Sequence, residues 1–131
     1  MVSALDDAGA TRYGHRSLHA MSHGESFLAL FEHRFLGNSL FVFDEPEAAL
    51  SPQRQLVLLA HIHRLAEAEG CQFVIATHSP ILLGYPEATI YEIEDASIRQ
   101  VPYEQTATYQ VVRSFVLHRD LVLRELLEPE G

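Results

Sequence analysis

An α/β fold built on a parallel sheet is the prediction of this 131-residue sequence, and three observations carry it. Leu40-Phe41-Val42-Phe43 is a short continuous apolar run ending in Asp44, as expected for a strand buried on both faces. Gln72-Phe73-Val74-Ile75-Ala76-Thr77 reads as a second buried strand. Between them lies one long helical segment, opened by Ser51-Pro52 and closed by Gly70. Strand, helix and strand in this order imply a right-handed parallel crossover.

The remaining elements follow from local signals. Residues 1–20 are weakly patterned and read as a lead-in. Ser22 followed by Glu25 forms a capping box, with Phe27, Leu28, Phe31, Phe35 and Leu36 behind it and Gly37-Asn38 closing the helix. Ser79-Pro80 starts a short helix reaching Leu83 or Gly84. Residues 88–94 and 97–101 alternate as a hairpin turning at Asp95-Ala96. The stretch from 106 to 127 is helical, with an interruption near Arg119-Asp120. One domain portion, 21–127, is expected between the lead-in and an acidic tail at 128–131.

Net charge is −9, with no cluster of Lys or Arg. Phosphate-backbone binding needs basic side chains, so direct nucleic-acid contact by this segment is not expected. No stretch approaches the length of a membrane span, and Met1 to Ala10 shows no basic n-region followed by an apolar core, so no signal peptide is expected there. The one cysteine, Cys71, opens an apolar run and reads as a small buried hydrophobe. A cytoplasmic location follows as an expectation.

In open parallel sheets, ligands bind beyond the carboxyl ends of the strands. Asp44-Glu45 follows the first strand and His78-Ser79 the second, so the crossover should bring the two pairs together on one rim. Adjacent residues in extended geometry point opposite ways, and Pro46 biases Glu45 toward that geometry. Two carboxylates aimed differently suit two tasks, one holding a divalent cation and one orienting water. Among the eight histidines, His61 and His63 stand about 200° apart on a helix and cannot share an ion. His15, His19 and His23 lack cysteine or acidic company. Ser79, His78 and Asp44 lack the Gly-x-Ser-x-Gly elbow of a hydrolase. Glu92, Glu94 and Asp95 read as a solvated acidic face.

Leu40 through Pro52, with Asp44-Glu45-Pro46-Glu47 at its centre, resembles the Walker B and D-loop of ABC-class ATPases, especially stand-alone bacterial predicted ATPases. Met21-Ser22-His23-Gly24-Glu25-Ser26 is similar to the ABC signature, and Ala76-Thr77-His78-Ser79 to the switch-histidine loop. The resemblance covers residues 15 to 127, with the motifs in family order. It implies a P-loop NTPase-type (RecA-like, ABC-class) parallel sheet with flanking helices and a C-terminal β-hairpin. Asp44 would hold Mg²⁺, Glu45 would polarise the attacking water and His78 would contact the γ-phosphate. Ser22, Gly24 and Glu25 would belong to the signature, with Ser22 and Gly24 meeting the nucleotide of an opposing subunit.

Three departures stand out. His23 replaces the first signature glycine, and Ser51 replaces the D-loop aspartate. No Gly-x-x-x-x-Gly-Lys-Ser/Thr occurs among these 131 residues, which hold 7 glycines. The resemblance implies a P-loop half upstream or on another chain, supplying the rest of the ATP site. Without the P-loop strand, the second buried strand becomes an edge that invites self-association unless residues 1–20 cover it. The expected function is ATP hydrolysis as the C-terminal part of such a domain, inactive alone. The alternative is a non-catalytic interaction module that keeps the fold.

Overall fold

The computed structural model describes residues 2–3 and 38–128, which fall into two compact units, Met1–Leu82 and Leu83–Gly131. The capping-box helix, with Ser22, Gly24 and Glu25, lies outside the described residues.

The described part of the first unit is a three-stranded sheet and a long helix. Strand β1 (Val2–Ser3) pairs antiparallel with β2 (Leu40–Asp44), which pairs parallel with β3 (Gln72–Ala76). Helix α1 (Pro52–Glu69) makes the crossover between the two parallel strands. Its start is set by Ser51, whose hydroxyl accepts the Arg54 N–H at 3.3 Å, and by Pro52, which has no N–H to leave unpaired. Its end is set by Gly70 in the left-handed conformation at φ 64°.

Burial follows one face of the sheet. Phe41 and Phe43 of β2 are buried with Leu58, Ile62 and Leu65 of α1, and Phe73 and Ile75 of β3 pack against them. The Phe41 and Phe73 rings stack, with centroids 4.9 Å apart. On the opposite face Leu40 is 54% exposed and Val74 58%. The expectation of strands buried on both faces is therefore corrected. Side chains alternate along a strand, and among the described residues the apolar stripe of α1 covers one set. Cys71 is buried, as expected of a small hydrophobe. Helix α2 (Pro80–Leu83) contributes Leu82 to the same core.

In the second unit, β4 (Tyr91–Glu94) and β5 (Ser97–Gln100) form the expected hairpin, with Asp95 at positive φ in the turn. A 3-10 turn at Tyr103–Gln105 leads into α3 (Ala107–Leu117) and α4 (Arg119–Leu127), separated at His118. Thr106, almost fully buried, caps α3 by accepting the Tyr109 N–H at 3.2 Å. Burial, with Tyr109 and Glu104 nearby, raises the Tyr103 phenol above its ordinary range. Glu92 is not simply part of a solvated acidic face: it pairs with Arg99 across the hairpin at 3.5 Å and accepts the Ala107 N–H at 3.0 Å. That N–H opens α3, where a carboxylate is favoured. No helix among the described residues is long and apolar enough to cross a membrane.

Candidate functional site

The site lies where β2 and β3 end. Their register is unbroken from Leu40 opposite Gln72 to Asp44 opposite Ala76. The Glu45 N–H then donates to the Ala76 carbonyl at 2.8 Å, extending the ladder one residue beyond β2. From there the chain turns sharply. Glu45 is left-handed at φ 48°, ψ 55°, and a 3-10 turn at Pro46–Ala49 follows, with the Ala48 N–H donating to the Glu45 carbonyl. The extended conformation expected of Glu45 before a proline is thus overturned. The ladder bond and the 3-10 bond hold the peptides on both sides of Glu45, and Pro46 is buried, so the surrounding structure imposes a backbone conformation that costs about 1–3 kcal/mol.

This geometry brings two predicted residues together. Glu45 Oε1 lies 3.6 Å from His78 Nε2, with the side chains 57% and 84% exposed. Asp44, the last residue of β2, sits exposed on the same rim, opposite Ala76.

Four further residues build the site. The Glu47 carboxylate accepts the Thr77 hydroxyl through Oε1 and the His78 N–H through Oε2, both at 2.7 Å. Thr77 Oγ1 accepts the Ser79 N–H at 2.9 Å. Ser79 Oγ donates to Gln55 Oε1 and accepts the Ile81 and Leu82 N–H groups, capping α2. Gln55 Nε2 donates to the Leu50 carbonyl at 3.2 Å. Ser79 is already expected to open the short helix, and the sequence held signals for two more. Glu47 repeats a carboxylate just past Pro46, and Gln55 is a polar residue three positions before Leu58 on the buried stripe of α1. Such a polar residue needs partners, because an unpaired buried amide is costly.

Among the described residues, no group of three His, Cys, Asp or Glu side chains could hold a metal ion. Ion binding at this rim would rest on Asp44 together with oxygens of a ligand and water. Mg²⁺ takes one or two carboxylates plus phosphate oxygens, and that donor set fits.

Residues 26–83 match the family described as AAA ATPase domain. That span contains Asp44, Glu45, Glu47 and His78, and it begins after Glu25. A Geobacter sulfurreducens protein, whose name assigns it as an ABC transporter ATP-binding protein, is 32% identical over 79 residues. Both likenesses support an AAA/ABC-type ATPase domain. The alignment takes in 60% of this chain and 27% of the relative, so the chain spans about a quarter of the relative's length.

Proposed function

We propose that this chain supplies the Walker B carboxylates and the switch histidine of an ATP-hydrolysing, ABC-class domain. The observation that carries the reading is the convergence of Glu45 and His78 at the carboxyl ends of two in-register parallel strands, 3.6 Å apart. Asp44 is the residue that would hold Mg²⁺, which when bound neutralises phosphate charge. Glu45 polarises the attacking water. It suits that task because its neighbour Glu47 has both oxygens engaged, whereas Glu45 faces solvent and His78. His78 offers a ring N–H to a γ-phosphate oxygen.

The signature residues Ser22, Gly24 and Glu25 act in the same reading as part of a homodimer, with Ser22 and Gly24 meeting ATP held by the opposing subunit. The phosphate cradle comes from residues beyond these 131, and the 131-residue chain alone hydrolyses no ATP. Steady-state kinetics of the intact gene product with Mg²⁺ tests the assignment. Glu45→Gln should lower kcat by roughly 10²-fold or more while ATP binding stays close to wild type. An unchanged kcat in Glu45→Gln rejects the role of Glu45, and turnover by the isolated chain rejects the need for the cradle.

A further inference from the structure

We infer that Glu47 is a positioning residue that locks the His78 loop onto the turn carrying Glu45. The inference rests on the ATPase reading above for its kinetic consequence, and on the geometry alone for the clamp. Three residues, Thr77, His78 and Ser79, join β3 to α2. Each is anchored, and none of the anchors uses the imidazole. Glu47 takes the Thr77 hydroxyl on one oxygen and the His78 N–H on the other. Thr77 Oγ1 then receives the Ser79 N–H, and Ser79 Oγ is held by Gln55 of α1.

Bonds to an ionised carboxylate at 2.7 Å are the short, strong kind, and two of them on one carboxylate fix direction as well as distance. The carboxylate belongs to the 3-10 turn that begins directly after Glu45. One side chain therefore ties together the backbones that present Glu45 and His78, across 31 residues of sequence. The His78 ring keeps its exposure and its approach to Glu45. Glu47 itself is less suited to activating water than Glu45, because each of its oxygens already accepts a short hydrogen bond. Its contribution is orientation, and small misplacements of reacting groups cost rate more than binding.

The test has two readouts. Amide hydrogen exchange of the 131-residue chain, followed by NMR, reports the clamp whatever the chemistry. Glu47→Ala should accelerate exchange at His78 by about tenfold or more. Glu47→Gln should stay near wild type, because its carbonyl can accept the His78 N–H while its amide donates to a rotated Thr77 hydroxyl. In the intact gene product, Glu47→Ala should lower kcat roughly 10²-fold with KM for ATP little changed, and Glu47→Gln should restore most of the rate. Should Glu47→Ala fail to fold, Thr77→Val removes one arm of the clamp together with the acceptor of the Ser79 N–H, at similar volume, and should lower kcat in the same direction.

Unaltered exchange at His78 in Glu47→Ala overturns the clamp, whatever the enzyme does. Faster exchange with wild-type kcat, in a protein that Glu45→Gln inactivates, overturns the positioning role and leaves the ATPase reading standing. A wild type that neither binds nor hydrolyses MgATP even when a P-loop half is supplied overturns the ATPase reading and with it the kinetic role of Glu47, while exchange at His78 still decides the clamp by itself.

Discussion

Single residues decide the local geometry in places where the backbone is least forgiving. Gly70 is one: it holds φ at 64°, and a Cβ there would meet Asn38 Oδ1 at 2.5 Å. Asn38 is itself left-handed and donates its N–H to the Glu69 carbonyl at 2.7 Å, so the chain entering β2 is fastened to the end of α1. Gly70→Ala should therefore destabilise by about 1–2 kcal/mol, the cost of a left-handed alanine, with Asn38 displaced in addition. Urea denaturation checks this through a lower midpoint at an unchanged slope. Glu45 is the contrasting case, since it adopts the left-handed region without glycine's freedom. Its conformation is imposed by the Ala76 and Ala48 hydrogen bonds, and the first of these, made to the neighbouring strand, is not visible in the local sequence.

At the scale of elements, α1 shows how one helix both fills the core and steadies the site. Its inward stripe is Gln55, Leu58, Ile62 and Leu65, spaced three or four residues apart, and Gln55 at the top of the stripe reaches Ser79. Leu58 is fully buried, whereas Leu56, two residues earlier, is 57% exposed. Leu58→Ala should cost about 2–5 kcal/mol through lost burial and the cavity left behind. Leu56→Ala should stay within about 0.5 kcal/mol of wild type. Paired chemical denaturation curves distinguish the two, and equal losses would mean that the stripe is misassigned. The strands behave differently from the helix. Their apolar runs are continuous in sequence, yet Phe41 and Phe43 are buried while Leu40 stands open. Burial there depends on which face the helix covers.

For the whole molecule, the order β1-β2-β3 leaves β3 terminal among the described strands. Val2–Ser3 pair with Val42 and Phe43 of β2, so those two residues do not cover β3. The run from Phe73 to Ala76 carries neither charge nor proline, and an unprotected apolar edge is a template for another chain. Unless the rest of residues 1–20 covers it, the isolated chain should self-associate through this edge as concentration rises. Light scattering and amide exchange together check it: association should slow exchange at residues 73–76. A stable monomer with fast exchange there would show that the edge is tolerated bare.

The sequence by itself determined the elements that depend on neighbouring residues. The α1 boundaries at Ser51-Pro52 and Gly70, the two strands, the hairpin turn at Asp95 and the break in the last helix near residue 119 were all legible, because caps, prolines, glycines and apolar periodicity act over a few positions. The chain order also showed that Glu45 and His78 belong on one rim, since a parallel crossover carries both strand ends to the same side. Only the tertiary structure decided which carboxylate approaches the imidazole there and which is held by other partners. Glu45 and Glu47 are two residues apart and chemically alike, but partners at positions 76 to 78 bend one toward the imidazole and commit both oxygens of the other. That distinction is carried by hydrogen bonds between residues about thirty positions apart. No local pattern encodes them, because their geometry exists only once β2 and β3 are paired in register.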